Sequence, residues 1–242
     1  MNKLSNFGYT KVTSKEKTKL VQKVFSDVAF NYDLMNDVMS VGAHRLWKKN
    51  FIDIVNPLNN DKIIDVGSGS GDLVLEIQKK FSNIEIFVVD LNKEMLKQGK
   101  KRIKKGKVKF YHQNAEKLNF DKNSFDKYLI SFCLRNITDI DKSFKEALRI
   151  LKPGGKYYCL EFSKPKSITV SNIYSYYKSN IIPFFGKVFS NNRNAYNYLN
   201  ESIDMFPNQD ELKRRMEKIG FKKVKYINLF DGIVSIHSGF KY

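Results

Sequence analysis

The sequence predicts an α/β fold with a doubly wound, mostly parallel sheet of seven strands. From residue 61 onward, short apolar runs that read as strands alternate with amphipathic helical patterns. A glycine-rich turn follows the first of these strands, and no internal repeat or low-complexity linker interrupts the 242 residues. Alternation of this kind places helices on both faces of one sheet.

The N-terminal part, residues 1–56, is predicted to be a helical cap. Apolar residues recur at three- and four-residue spacing over 20–32 and again over 46–54. This spacing is typical of amphipathic helices, and we expect Asp33 or Asn36 to cap a further short helix.

The central part of the predicted sheet lies within residues 61–163. Its predicted strands cover 63–66, 84–89, 108–112, 125–132 and 156–162. One predicted helix ends near residue 80, and two further helices cover 92–104 and 139–151. The last helix stops at Lys152-Pro153-Gly154-Gly155, because proline cannot continue a helix and glycine favours a turn.

The rest of the chain adds an insertion, a helix and a pair of strands. Residues 164–206 break the alternation with an aromatic, partly helical insertion. Residues 207–242 are predicted to hold a helix over 208–219 and two strands over 225–230 and 233–240 around the turn Asp231-Gly232. The last strand is therefore antiparallel, and we expect residues 1–242 to form a single domain.

Composition excludes several classes of protein. Hydrophobic residues make up 42% of the chain, too many for a disordered protein, and no apolar run approaches the roughly 18 residues that cross a bilayer. We do not expect the polar start to be a signal peptide, and Cys133 and Cys159 alone make no disulfide framework. These features favour a cytoplasmic protein.

The net charge of +18 has two explanations. A basic excess is typical of proteins that bind nucleic acid or an anionic membrane surface. Lysine supplies 36 of the 43 basic residues, however, and the chain also has 23 asparagines. This pairing equally fits a base-composition bias in the source genome.

The turn Asp65-Val66-Gly67-Ser68-Gly69-Ser70-Gly71 predicts a site for a nucleoside cofactor. Gly67 and Gly69 let the backbone approach a ligand closely, and the start of the next helix offers free N–H groups. Asp90 stands nineteen residues after Gly71, at the end of the second strand. A carboxylate there can accept hydrogen bonds from both hydroxyls of a ribose.

The glycine spacing separates two kinds of cofactor. It is Gly-x-Gly-x-Gly rather than the dinucleotide pattern Gly-x-Gly-x-x-Gly, and with the preceding acid it resembles motif I of class I S-adenosylmethionine-dependent methyltransferases. Leu151-Lys152-Pro153-Gly154-Gly155 is similar to a recurrent turn of that superfamily. The resemblance implies a Rossmann-like fold with S-adenosylmethionine as cofactor. A tight turn without a ligand is the alternative.

Two further positions lie at the edge where open α/β sheets bind ligands. Asn114-Ala115 follows the third strand, and an asparagine amide with a neighbouring N–H can read the edge of adenine. Ser131 ends the fourth strand, where it can face the methionine part of the cofactor. Both positions also suit ordinary turn or strand-end residues.

Four separated blocks resemble the ubiquinone/menaquinone biosynthesis C-methyltransferase family. They are Val24–Asp37 with Ser40, Gly42 and His44–Trp47; Ser131–Asp139; Leu160–Pro165; and Tyr198–Ile203 with Phe206-Pro207. The resemblance covers about residues 20–242. It implies methylation of a ring carbon of a polyprenylated benzoquinol, a naphthoquinol, or both.

The same resemblance implies which residues contact S-adenosylmethionine. They are Ser70, Asp90, the Asn114–Ala115 pair and Ser131. The chain departs from the family at Ser70, where threonine is frequent, and at Cys133, where glycine is frequent. The first change keeps the hydroxyl, whereas the second adds volume beside the expected ring pocket.

Methylation at carbon requires a ring hydroxyl to lose its proton and a group that stabilises the phenolate. Arg135 and Asn136 directly follow the fourth strand, at the cofactor edge. Our hypothesis is that Arg135 orients a water or the phenolate, while Asn136 and Tyr32 hold the ring oxygens. Capping or surface exposure is the alternative for Arg135, and core packing for Tyr32. No metal is required, and no cluster has ligand spacing.

The insertion also bears on partners. Its stretch 172–189 mixes aromatic and aliphatic residues with Lys178 and Lys187 and follows the fifth strand. We expect a lid or tunnel for a prenyl tail that touches the inner face of the membrane, with ordinary helix packing as the alternative. A homo-oligomer or a quinone-biosynthesis complex is compatible with this arrangement.

Nucleic acid is not expected as a partner. The densest basic runs, Lys97–Lys109 and Lys213–Lys225, each span a helix end and the next strand start, which puts them at the amino edge of the sheet. The cofactor lies at the opposite edge. A nucleic-acid methyltransferase and a non-catalytic cofactor-binding scaffold remain rival interpretations, and methyl transfer to demethylated quinols, assayed beside RNA, separates them.

Overall fold

The computed structural model describes residues 4–81, 83–181 and 193–242. Its strands are β1 (Leu4–Phe7), β2 (Thr10–Thr13), β3 (Lys62–Val66), β4 (Glu85–Asp90), β5 (Lys107–His112), β6 (Phe125–Ser131), β7 (Leu151–Phe162), β8 (Lys222–Leu229) and β9 (Val234–Phe240). Its helices are α1 (Ser14–Val28), α2 (Tyr32–Ser40), α3 (Ala43–Val55), α4 (Asp72–Lys80), α5 (Lys93–Arg102), α6 (Ile140–Ile150), α7 (Ile168–Tyr176), α8 (Arg193–Asp204) and α9 (Gln209–Ile219).

Seven strands form one sheet in the order β5-β4-β3-β6-β7-β9-β8. The pairs from β5 to β7 are parallel, and β9 runs antiparallel to both of its neighbours. The predicted doubly wound sheet with an antiparallel last strand is therefore confirmed. Strand order reverses at β3, which has β4 on one side and β6 on the other, and ligands bind at the carboxyl edge of such a point.

The central strands of the sheet, such as β3 and β4, are buried on both faces, which explains their nearly continuous apolar sequences. Successive residues Ile63 and Ile64 of β3 are both fully buried and belong to different core clusters. One cluster packs the sheet against α3 and α4, through residues such as Phe51, and the other packs it against α6 and α9, through residues such as Phe144.

Three helices begin where sequence reasoning expected them, because polar side chains cap them. Asn92, Asp139 and Asn208 each accept a backbone N–H from the first turn of α5, α6 and α9. A side chain of this kind satisfies one of the donors that a helix start leaves free. The predicted starts therefore fall within one residue of the observed ones.

Several local predictions were wrong. Residues 4–13, which lie within the predicted helical cap, form the hairpin β1–β2, and Asp33 and Asn36 lie inside α2 instead of capping it. The predicted turn at Lys152–Gly155 lies within β7, which begins at Leu151. A register shift between β6 and β7 accommodates this segment while keeping the two strands paired.

The insertion contains α7, a five-residue π turn over Tyr177–Ile181 and α8. Of the residues expected to form a lid, those after Ile181, namely Ile182, Phe184, Phe185, Lys187, Val188 and Phe189, lie outside the described residues. Within the described ranges, no helix is long and apolar enough to cross a bilayer.

Candidate active site

The carboxyl ends of β3 and β4 bring the glycine-rich turn and Asp90 together. Gly67 and Gly69 have positive φ angles of 67° and 58°, which residues with a side chain rarely adopt. A Cβ on Gly67 would overlap the thiol of Cys133, which packs directly on the turn. These two positions therefore require glycine for backbone conformation and, at Gly67, for space.

Asp90 fixes the turn from the end of β4. Its Oδ2 accepts the N–H of Gly69 at 2.8 Å, and its Oδ1 accepts the N–H of Asn92 at 2.7 Å. Burial raises the pKa of this carboxyl, and the backbone N–H groups oppose that rise. Each carboxylate oxygen keeps a further acceptor site for a ligand hydroxyl.

A cavity of about 100 Å³ lies at this edge of the sheet. The sequence-predicted residues that line it are Tyr32, Gly67, Gly69, Asp90, Asn114, Ala115 and Asn136. We call it the cofactor cavity. Asn114 has its side-chain oxygen engaged by the N–H of Glu116 at 2.9 Å, which orients the amide. The cofactor cavity thus collects residues from five separate segments of the chain.

Ser70 does not line the cofactor cavity. Its hydroxyl accepts a hydrogen bond from Nη1 of Arg102 at 2.6 Å, and the same nitrogen donates to the Ser70 carbonyl at 3.1 Å. Arg102 also pairs with Asp72 at the start of α4. The structure therefore places the Ser70 side chain behind the turn, on the side of α5.

Ser131 lines a separate cavity of about 20 Å³, which Gly67 and Phe132 divide from the cofactor cavity. The Ser131 hydroxyl and Oδ1 of Asp65 are buried there without a hydrogen-bond partner in the described parts of the chain. Burial raises the pKa of Asp65 to about 7, against a hydrogen bond from Ser68. The space is sufficient for one water molecule.

A narrow cavity of about 10 Å³ adjoins the cofactor cavity beneath α2. Phe25, Tyr32 and Phe132 line both spaces and form the wall between them. We call the second space the ring cavity. Its remaining lining is half apolar and half polar: Met35, Met39, Phe162 and Leu199 are apolar, and Asn36, Ser40, His44 and Arg135 are polar.

Arg135 reaches the ring cavity from the short turn after β6. The residue is buried, and its Nη1 donates to Oε1 of Glu161 at 2.5 Å and to the carbonyl of Phe132 at 2.8 Å. Its Nε donates to the hydroxyl of Ser202 at 3.2 Å. Burial lowers the pKa of the guanidinium, but neighbouring groups, first among them the negative charge of Glu161, together raise it more, so that the net shift of the pKa is upward.

Two aromatic hydroxyls complete the polar surroundings. Tyr198 donates to Oδ1 of Asn136 at 2.9 Å, which fixes the orientation of that amide. Burial raises the pKa of Tyr32, so that its hydroxyl keeps its proton at neutral pH. Tyr32 lines both cavities, together with Asn136 in the cofactor cavity and with Arg135 in the ring cavity.

His44 also lines the ring cavity, but both of its ring nitrogens have partners. Lys48 donates to Nδ1 at 3.1 Å, and Nε2 lies 2.8 Å from Oδ1 of Asp37. Burial lowers the pKa of this imidazole. No acceptor nitrogen of His44 is left to face a substrate.

Comparison with known proteins identifies the family. The family model described as the ubiE/COQ5 methyltransferase family matches residues 11–241. This chain belongs to that family. Curated relatives named "Ubiquinone/menaquinone biosynthesis C-methyltransferase UbiE" cover 98% of this chain and 98% of their own length, at 49% identity in Rickettsia bellii and 47% in Rickettsia prowazekii. Family and fold together make the chain an S-adenosylmethionine-dependent C-methyltransferase.

Solved structures support the fold of this methyltransferase. A SAM-dependent methyltransferase from Thermotoga maritima is similar with a TM-score of 0.67 at 20% identity, over 92% of this chain and 100% of its own. Phosphoethanolamine N-methyltransferase 2 from Haemonchus contortus, solved with S-adenosyl-L-methionine, has a TM-score of 0.60 at 18% identity, over 80% of this chain and 52% of its own.

Sequence reasoning missed parts of the methyltransferase site. Thr18, Gln22 and Phe25 of α1 line the cofactor cavity, although only helical spacing was visible there. Thr18 and Gln22 are polar residues four positions apart on a helix that also has an apolar face, and this spacing was the available signal for a cavity lining. Glu161 was seen only inside a family block, yet a carboxylate within the apolar strand β7 is itself unusual. In the described residues, no group of three or more potential ligands could hold a metal ion.

Proposed function

We propose that the methyltransferase methylates a ring carbon of a polyprenylated benzoquinol, a naphthoquinol, or both. The observation that carries this proposal is the pair of adjoining cavities. One has the residue types that bind a nucleoside, and the other combines apolar side chains with the buried guanidinium of Arg135 and the polar side chains of Asn36, Ser40 and His44. The names of the relatives, which refer to ubiquinone and menaquinone biosynthesis, support the same substrate class.

The residues of the cofactor cavity fit S-adenosylmethionine, whose sulfonium supplies an electrophilic methyl group. Asp90 would accept hydrogen bonds from the ribose hydroxyls, and Asn114 and Ala115 would border the adenine. The unpartnered oxygens of Asp65 and Ser131 suit the ammonium of the methionine part, reached through a water. For Ser70 we propose a supporting role, in which Arg102 holds the turn through it.

The ring cavity suits the chemistry of a phenol that must become nucleophilic at carbon. When a ring hydroxyl loses its proton, negative charge spreads onto the oxygen and the adjacent carbon. Arg135 would stabilise that charge at the ring oxygen, and such a preorganised donor is worth about 100-fold or more in rate. Tyr32, which lines both cavities, and Asn136, which lines the cofactor cavity, would hold the ring oxygens as hydrogen-bond donors where the two cavities adjoin. The hydroxyl proton would leave to water. After the ring carbon has taken the methyl group, it would lose its own hydrogen as a proton, which restores the aromatic ring and allows the phenolate oxygen to be protonated again.

The ring cavity is too narrow for a quinol at about 10 Å³. We infer that α2 moves outward when the substrate binds, since this helix forms one wall of the cavity. The outer surface beside it exposes Phe30, Leu34 and Val41, with 82%, 43% and 79% of their surface accessible. We propose that this apolar surface touches the membrane, where a prenylated quinol resides.

The quinones that accumulate without the protein test this function. Inactivation in the source cell should leave a demethylated quinone, and its identity distinguishes the branches. A demethylated benzoquinone precursor indicates the ubiquinone branch, and demethylmenaquinone indicates the menaquinone branch. Accumulation of neither, with normal levels of both mature quinones, would contradict the proposed substrate class.

A further inference from the structure

A fully buried carboxylate stands behind Arg135. Glu161 lies at the end of β7 with none of its surface accessible, and the side chain of Arg135 is 5% accessible. Oε1 of Glu161 accepts both Nη1 of Arg135 and the N–H of Phe162, and Oε2 accepts the N–H of Arg135 at 3.3 Å. One carboxylate therefore holds the guanidinium and the backbone turn that carries it.

Stability alone does not explain such a pair. Taking two charges out of water costs several kcal/mol for each ion, and well-packed apolar residues of similar size often serve the fold as well or better. The pair at Glu161 lies against a cavity rather than in the middle of a core cluster. The pair is therefore weak evidence for a role in stability, and its position points to a role at the cavity.

The hydrogen bonds of Arg135 show what the pair achieves. Nη1 is engaged by Glu161 and the Phe132 carbonyl, and Nε is engaged by Ser202, which itself donates to the Leu199 carbonyl at 2.7 Å. No residue in the described ranges accepts from Nη2. Because the guanidinium is planar and rigid, fixing Nη1 and Nε also fixes the direction of Nη2.

We propose that Glu161 is the positioning residue for Arg135 in the methyl-transfer reaction. Its carboxylate holds the guanidinium in one orientation, with Nη2 available to a ring oxygen of the quinol. It also neutralises the resting charge of the cavity, so that an apolar ring can enter it. This assignment rests on the proposed function, because it requires Arg135 to act on a quinol.

The test compares two variants of Glu161 with a matched control. Glu161→Asp keeps the charge and withdraws the carboxylate by one methylene, and Glu161→Gln keeps the shape and removes the charge. The control is Asp61→Glu, which shifts the carboxylate of another buried pair, Asp61–Lys127, with side chains only 11% and 12% accessible. That pair lies at the amino end of β3 and β6, away from both cavities.

We expect the Glu161 variants to lose turnover and to keep the cofactor. A displacement of about 1 Å at a positioning group can cost about 100-fold in rate, so kcat with a short-chain quinol should fall about 10- to 100-fold in Glu161→Asp and further in Glu161→Gln. The Kd for S-adenosylmethionine should stay within about 2-fold, because Glu161 does not line the cofactor cavity. Asp61→Glu should lower the Tm without lowering kcat.

Three results would overturn the assignment. They are an unchanged kcat in Glu161→Asp, an equal loss in the Asp61→Glu control, and a loss confined to S-adenosylmethionine binding. If Glu161→Gln fails to fold, Glu161→Asp decides alone, since it retains the negative charge. Absence of quinol methylation in the unmodified protein would instead reject the proposed function, so the two failures are distinguishable.

Discussion

Asp65 is a residue whose buried carboxylate should destabilise the fold while serving the binding of a ligand. It is buried at the end of β3, its Oδ2 accepts the hydroxyl of Ser68 at 2.6 Å, and its Oδ1 has no partner in the described chain. An unpaired buried carboxylate destabilises a fold, whereas the same oxygen is ready for a cationic group of a ligand.

Replacing Asp65 should therefore stabilise the protein in a pH-dependent way. Burial raises the pKa of Asp65 to about 7 from 3.8, so the native state holds the proton over a range where the unfolded chain has lost it. Stability falls as pH rises through that range. We expect Asp65→Asn to raise the free energy of unfolding at pH 8 by up to about 4 kcal/mol and to leave it nearly unchanged at pH 4.

Urea unfolding at the two pH values measures this difference. Asp121→Asn, at an exposed aspartate, is the control and should follow the pH dependence of the unmodified protein. A stabilisation by Asp65→Asn that is equal at both pH values would show that the buried charge is not the cause. Weaker binding of S-adenosylmethionine by Asp65→Asn is the expected functional cost.

At single residues, the sequence predicted positions in the fold but not the directions in which side chains point. Asp90 was predicted from spacing alone, because a strand end in a parallel sheet has a fixed place. Ser70 was assigned to the cofactor, yet its hydroxyl bonds to Arg102, a residue 32 positions away. Neither that contact nor the Arg135–Glu161 pair follows from local pattern, since both depend on how distant segments pack.

At the scale of elements, the β1–β2 hairpin has the least expected position. Phe7 stacks on Tyr198 of α8 with ring centroids 4.2 Å apart and planes 13° apart. The hydroxyl of Tyr198 in turn holds the amide of Asn136. The hairpin therefore supports a residue of the candidate site from outside the cavities.

We expect Phe7→Ala to lower both stability and turnover. Loss of the stacked ring should cost about 1–3 kcal/mol in the free energy of unfolding, and kcat should fall several-fold because Tyr198 loses its support. Phe7→Leu retains most of the apolar area, so it should recover stability more than turnover. Thermal unfolding measures the change in stability, and steady-state kinetics with one substrate varied measure the change in kcat. An unaltered kcat in Phe7→Ala would refute the link to Asn136.

The apolar outer surface of Phe30, Leu34 and Val41 makes a second prediction at this scale. Burying large apolar side chains in a bilayer is worth about 1.5–3 kcal/mol each, so Phe30→Ser with Val41→Ser should weaken co-sedimentation with anionic liposomes by about 10-fold or more. Leu58→Ser with Tyr242→Ser is the matched control, because these side chains are 61% and 70% exposed at the opposite edge. Equal binding by both double variants would contradict the proposed membrane surface.

Secondary structure was predictable where local signals agreed. Apolar runs located the strands of the sheet, and capping side chains such as Asn92 and Asp139 located helix starts. The segment Lys152–Gly155 looked like a turn but pairs within β7, because sheet contacts outweigh the local preference of proline and glycine. The short polar strands β1 and β2 had no comparable signal.

For the whole molecule, the net charge of +18 does not mark the active site. The run Lys97–Lys109 ends α5 and begins β5, at the amino edge of the sheet. Part of it is neutralised locally, as where Lys109 pairs with Glu85 at 2.7 Å. Arg102 is an exception, because it reaches back to Ser70 and Asp72 beside the glycine-rich turn.

Methyl transfer by the purified protein tests the proposed chemistry most directly. The assay supplies labelled S-adenosylmethionine with short-chain demethylated benzoquinol or naphthoquinol, and with RNA in parallel. We predict label on a ring carbon of a quinol and none on RNA. Arg135→Lys should lower kcat about 100-fold with S-adenosylmethionine still bound, because lysine lacks the planar fork. Label on RNA, or bound cofactor without any methylated quinol, would contradict the proposed function.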